Sequence, residues 1–281
     1  MAKWILSAFA DEADKMLSGQ LKALRENGIH LIELRGVDGK SCSDLTDEEI
    51  REIRAHLDGE GVGLSALGSP YGKYPIDEDF SPHRDAFKRG LDIAAGLGTD
   101  KIRMFSFFIP KEGKSDPAAW RGKVLDQLSE MLDLAKPYEI TLCHENEKGI
   151  YGDTDARCED ILSAFDGRMG CVFDPANFIQ CGVYPEKAYD LLKDRITYMH
   201  IKDAMMADGA VVPAGKGDGK VGDILSKLSA RDGDVVLTIE PHLSVFDGLK
   251  NLQSEELTRR YTYPDTRTAF DAAVAALRDL L

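Results

Sequence analysis

Short apolar runs alternate along the chain with longer stretches of helical periodicity. The runs read as strands at 4–10, 29–35, 62–68, 100–107, 139–145, 169–175, 196–202 and 235–241. Between them lie amphipathic helices with legible ends. Leu17, Leu21 and Leu24 form one apolar face, stopped by Gly28. Thr46 and Glu49 form a capping box ahead of Ile50, Ile53 and Leu57, with Gly59 as the stop. Ser81-Pro82 opens a helix that ends at Gly98, and Asp116-Pro117 opens one that ends near Pro137. A last stripe, Phe270, Ala273, Val274 and Leu277, closes the chain.

Strands joined by helical crossovers pair in parallel. Eight such units in 281 residues predict an α/β protein, a (β/α)8 TIM barrel in a single domain over 1–281. The rival, a doubly wound open sheet, would need fewer strands, and no GxGxxG follows the first one. Segments 108–118 and 242–264 are longer than plain connectors, and the second is expected to form part of a lid.

In a barrel of this kind the active site lies at the C-terminal strand ends. The fifth run ends in His144, Glu145, Asn146 and Glu147; the sixth in Asp174, followed by Asn177; the seventh in His200, Lys202 and Asp203; the eighth in Glu240 and His242. Singly, each is an ordinary strand end, helix cap or hydrogen-bonded core histidine. Together they bring several like charges to one mouth, which repel unless a cation sits among them. A Glu, Asp, His and Glu set offers three hard oxygens and one nitrogen. It suits one divalent Mn, Mg or Co ion better than a structural zinc. In the first half, Glu33 is a candidate partner for Arg103, a charge inside an otherwise apolar run. Phe9 could form an apolar wall for a substrate. The glycine-rich stretch AGKGDGKVGDIL at 214–225 carries Lys216 ahead of a helix starting near Val221, whose N-terminus could receive an anion.

Composition narrows the class. A net charge of −14 with no basic stripe argues against nucleic-acid and anionic-membrane partners. The N-terminus turns acidic within a few residues, so it reads as neither signal peptide nor membrane span. Five cysteines without a CxxC pair fit a reduced, cytoplasmic protein.

The motifs HEN at 144–146, FDPANF at 173–178, HIKDA at 200–204 and IEP at 239–241 resemble those of the xylose-isomerase-like barrels, the sugar phosphate isomerase/epimerase group. The resemblance runs from SAFADE at 7–12 to the eighth strand. It implies a divalent metal on Glu145, Asp174, His200 and Glu240, with the two glutamates also acting as acid and base. Such a metal polarises a sugar carbonyl and stabilises the enediolate formed when a neighbouring proton is removed. The reaction implied is isomerisation or epimerisation of a sugar or sugar phosphate, and homo-oligomer formation is compatible with it. Asp203 is the expected second partner of His200, and Glu147 the second-choice base. Phe9, Glu33, Arg103, Glu147, Asn177, Lys202, Lys216 and His242 are the candidate substrate contacts.

The chain departs from the free-ketose epimerases, which carry His where Asn177 stands and Arg where Met206 stands. A metal-dependent lyase such as an inosose dehydratase shares the proton abstraction and is the main alternative. A DNA-repair endonuclease on the same barrel needs further histidines where Ser69 and Arg103 stand, and the chain has six His in all.

Overall fold

In the structure, a computed structural model describing residues 1–110, 116–244 and 260–281, eight parallel strands close into a barrel. They are β1 (Ala2–Ala8), β2 (Leu31–Leu34), β3 (Gly63–Gly68), β4 (Lys101–Met104), β5 (Thr141–Glu145), β6 (Met169–Phe173), β7 (Ile196–Ile201) and β8 (Gly233–Ile239). Each strand pairs with the next in sequence, and β8 closes on β1 in a register running from Ala2↔Gly233 to Ala8↔Ile239. The predicted runs match these strands to within a few residues. Their largest overshoot is at their C-terminal ends, where Phe9, Asp174 and Glu240 lie just past the last strand residue.

The outer layer is built from α1 (Leu17–Glu26), α2 (Asp47–Glu60), α3 (Ser81–Leu97), α4 (Arg121–Ala135), α5 (Asp155–Ala164), α6 (Pro175–Gln180), α7 (Pro185–Leu192), α8 (Val221–Leu228) and α9 (Thr266–Arg278). The Thr46–Glu49 capping box is formed. Gly59, expected as the stop of α2, lies inside the helix instead. The chain reverses two residues later at Gly61, whose φ of +66° is the left-handed conformation a helix stop uses. Asp116-Pro117 opens a 3-10 turn, Pro117–Trp120, before α4 begins. The short helices α5, α6 and α7 were not singled out in the sequence, although α5 buries Cys158, Ile161 and Leu162 and α7 buries Ala188, Tyr189 and Leu192. Of the two long segments, residues 111–115 and 245–259 lie outside the described residues, and with them most of the expected lid.

Two shells of core result. Helices and strand exteriors bury one large apolar cluster that includes Leu24, Phe87, Leu128 and Phe270. Ala66, Cys143, Val172 and Tyr198 form a separate cluster within the barrel, with Val236 packed against it. Side chains alternate along a strand, so residues two or four further on share that inner face. Those residues are Gly68, Glu145, Asp174, His200 and Glu240. The apolar plug therefore forms the floor on which the polar strand ends stand. None of the five cysteines is paired in a disulfide. Among the described residues, no helix is long and apolar enough to cross a membrane.

Candidate active site

Glu145, Asp174, His200 and Glu240 are all buried, and each points one donor atom into a common space, all four atoms within 4.8 Å of one another. His200 is the hub. Its Nδ1 lies 2.9 Å from Glu145 Oε1 and 3.4 Å from Glu240 Oε2, and its Nε2 lies 3.2 Å from Glu33 Oε2. Burial works against a charged imidazole, but Glu145 and Glu33 outweigh it and raise the pKa of His200 well above its ordinary value. Three carboxylate oxygens and one imidazole nitrogen this close fit a divalent cation. Nδ1 is the nitrogen turned to the shared space, while Nε2–H is fixed by Glu33, the kind of support a metal-bound histidine takes.

The local sequence explains how each donor is held. Asn146 clasps the backbone at Asp174: its Nδ2–H donates to the Asp174 carbonyl at 2.9 Å, and its Oδ1 accepts from the Asp174 N–H at 3.0 Å. Asp174 caps α6, its Oδ1 accepting from the Asn177 N–H at 2.9 Å, with Pro175 at the first helical position. Asn177 turns its own amide back, donating to Glu145 Oε1 at 3.2 Å and to the Asn146 carbonyl at 2.9 Å. His144, one residue out of phase with Glu145, faces away from the cluster. Its Nε2 meets Ser106 Oγ at 2.9 Å, and that oxygen accepts from the Gly152 N–H. Burial alone pushes His144 down to about 3.

Fixed cations knit the carboxylates together. Lys202 Nζ lies 2.9 Å from Asp174 Oδ2 and 2.9 Å from Glu240 Oε2. Arg103 Nη1 reaches Glu145 Oε2 at 3.3 Å, and its Nε is 3.9 Å from Glu33, as its placement in the sequence suggests. Arg35 donates to both oxygens of Asp11 at 3.0 Å, to Glu12 Oε1 at 3.0 Å and to Glu240 Oε1 at 3.1 Å. Asp174 and Glu240 share Lys202 yet diverge. Burial raises the Asp174 carboxyl despite that lysine, whereas for Glu240 the pull of Lys202 and then His242 overcomes burial and lowers it. Glu12, pushed up to about 8 by burial, accepts from the His242 N–H at 2.6 Å and anchors the segment after β8.

The remaining expected contacts divide. Phe9 packs edge-on to His200, with ring centroids 5.1 Å apart, and lies under the guanidinium of Arg35 at 4.3 Å. A side chain at Gly68 would collide with Phe9, its Cβ 2.6 Å from the ring. His242 Nε2 is 3.2 Å from Glu240 Oε1. Glu147 is not in the cluster; it forms an ion pair with Lys73 at 2.8 Å, and this pair is 11–13 % exposed where the donors above are nearly sealed. Lys216 is exposed on its loop. Asp203 does not support His200. Strand alternation turns it outward, where its carboxylate accepts from the N–H groups of Ala204, Gly215, Gly217 and Gly219 and gathers the glycine-rich loop. Glu33 takes the role expected of Asp203. Arg35, Glu12 and Lys73 were missed as site residues. Arg35 lies two residues past Glu33, just beyond the end of β2, which was a usable signal; Lys73 had none.

The fold and site define a closed parallel TIM barrel with a carboxylate and histidine cluster at its strand ends that could hold one ion. The family model for xylose isomerase-like TIM barrels matches residues 21–260, and the chain belongs to that family. No curated protein sequence matches it significantly. Among solved structures it is similar to a probable 3-DHS dehydratase AsbF from Bacillus anthracis (15 % identity, 99 % of each chain, TM-score 0.73). It is also similar to D-psicose 3-epimerase from Clostridium cellulolyticum H10 with D-tagatose (13 %, 98 % of each chain, 0.71). A third neighbour is the IOLI protein with a bound zinc atom (17 %, 98 % of this chain and 97 % of that one, 0.71). At these identities the likeness supports the fold.

Proposed function

We infer that the protein is a divalent-metal-dependent isomerase or epimerase of a sugar or sugar phosphate, with Glu145 and Glu240 as the proton-transferring pair. The observation that carries this reading is their placement: two carboxylates from strands three apart, both within 3.4 Å of His200 Nδ1, bracketing the space a cation would share with a substrate. A bound Mn, Mg or Co ion would polarise a carbonyl and acidify the neighbouring C–H. The chain's own groups do the rest. Glu145 is oriented by Asn177 and Arg103, and Glu240 by Arg35, so neither needs to reorganise to meet a proton. One carboxylate takes the proton from carbon and the other returns it to the same or the next carbon. Phe9 closes one side without offering a competing donor. Asn177 spends its amide on Glu145, so it acts on the substrate through that carboxylate.

The test is a panel of ketoses, ketose phosphates and inososes incubated with the protein in D₂O, with Mn²⁺, Mg²⁺, Co²⁺ and Zn²⁺ in parallel. Deuterium beside the carbonyl of an isomerised or epimerised product is the expected result. Loss of water instead would move the assignment to a lyase, and no exchange with any metal would end it.

A further inference from the structure

Lys202 has a placement that ligand support alone does not require. Each carboxylate it touches has one oxygen already committed elsewhere. Asp174 Oδ1 accepts from the Asn177 N–H at 2.9 Å, and Glu240 Oε1 accepts from Arg35 at 3.1 Å. The oxygens left to face the shared space are Asp174 Oδ2 and Glu240 Oε2. Lys202 Nζ lies 2.9 Å from each of these two atoms. Its side chain is 3 % exposed, so water does little to neutralise the carboxylates in its place.

We propose that Lys202 is a built-in competitor of the metal: its ammonium holds the ligand oxygens of Asp174 and Glu240 while the site is metal-free, and ion binding requires it to let go of them. The proposal rests on the reading of the four-residue cluster as a metal site. A divalent ion bound to both oxygens would lie within a few ångströms of the ammonium, and like charges that close repel strongly in a buried site. The consequence is a metal-free barrel that does not tear itself apart by carboxylate repulsion, obtained at reduced metal affinity.

The experiment is calorimetric titration of chelator-stripped full-length protein with MnCl₂ alone, comparing wild type with K202M and with K202Q. The two variants remove the charge, and K202Q keeps a donor. At least a tenfold tighter Mn²⁺ affinity in the variants is expected, together with a lower melting temperature for their metal-free forms that Mn²⁺ restores. Equal or weaker Mn²⁺ binding in folded variants would overturn the proposal and make Lys202 a ligand-orienting group. If metal-free variants do not fold, side-chain ¹⁵N-lysine spectra of wild type decide it. A protected Lys202 ammonium signal should lose protection on adding diamagnetic Mg²⁺, and an unchanged signal would overturn the idea. Failure of wild type and variants alike to bind any divalent ion would sink the metal reading itself, a result distinct from weaker binding in the variants.

Discussion

The two halves of the barrel mouth are built on opposite plans. Strands β5 to β8 supply the four candidate donors, and with them Lys202. Strands β1 to β4 supply counter-charge and walls: Arg35 and Arg103, Glu33 behind His200, and the ring of Phe9. The donor half does not hold its charges alone: Asp174 and Glu240 share one lysine, and Glu145 meets His200. The first half supplies Arg103 to Glu145 and Arg35 to Glu240. It also adds carboxylates of its own, Asp11, Glu12 and Glu33, so each cation of the mouth is shared among several acids. The lesson is a division of labour. One half presents the candidate ligands, and the other sets their orientation.

The largest break comes in the donor half. Glu145→Gln and Glu240→Gln each remove a donor oxygen and a base from one side of the site. Removing a general base typically costs about 10²–10⁴-fold in rate, and loss of a ligand adds to that. Both variants should keep the barrel, because the apolar plug below them is untouched. Turnover of the identified substrate and the far-ultraviolet spectrum, measured together, check this; near-normal turnover in both would remove the paired-glutamate reading.

A break in the supporting half should instead appear as lost stability. Arg35→Met leaves Asp11, Glu12 and Glu240 without the guanidinium that all three share. Stripping one partner from a buried charge cluster costs about 3–5 kcal/mol. Urea unfolding should show that loss in metal-free protein, and Mn²⁺ should recover part of it by drawing off the Glu240 charge. A loss no larger than that of an exposed surface pair, such as Arg25 and Glu60 at 2.7 Å, would show that the two halves are not electrostatically coupled.

A subtler break separates orientation from ligation. Glu33 donates nothing to the shared space but holds His200 Nε2 at 3.2 Å and accepts from the Tyr198 hydroxyl at 3.0 Å. Glu33→Gln should weaken metal affinity by about 10–100-fold, the usual effect of losing the group behind a histidine ligand. Titration with Mn²⁺ reads it directly. Unchanged affinity would make Glu33 a strand-packing residue only.

This division also explains what the sequence could and could not disclose. Strands and donors were legible because short apolar runs end in charge at Glu145 and His200. The Glu33–Arg103 pair was legible for the same reason, as two charges inside apolar strands. Asp203 was misjudged although the alternation that places His200 inward also turns Asp203 outward. Arg35 was undervalued because its partner Glu240 lies 205 residues away, and only barrel closure brings them together. Gly59 looked like a helix stop because composition marks a glycine and not its φ; the left-handed residue is Gly61.

A last predicted effect contrasts two buried histidines, one in each half. His200 sits among carboxylates, which raise its pKa. His83, on α3 behind β3, sits among the rings of Tyr71, Tyr74, Phe80 and Phe107, and burial pushes it down to about 4. Its Nε2 accepts from the Gly72 N–H at 2.9 Å, so the folded protein needs that nitrogen unprotonated. Gly72 itself cannot change, because with φ +86° a Cβ there would lie 2.0 Å from the Phe105 carbonyl oxygen. The sign follows from the two pKa values. Between the ordinary histidine value of about 6.5 and the folded value of about 4, the unfolded chain binds the extra proton. Stability from this group is therefore present above pH 6.5 and is lost as pH falls toward 4. From pH 7 to pH 5 the loss comes to about 2 kcal/mol. His83→Gln offers a carbonyl oxygen to the same N–H and does not titrate. The variant will be less stable than wild type at pH 7 through altered ring packing, so the quantity to follow is the gap between them. In urea unfolding at pH 7, 6 and 5 that gap should narrow by about 2 kcal/mol. A gap that stays constant would mean that His83 is protonated in the fold, held by the face of Tyr74 as a cation, and the contrast with His200 would disappear.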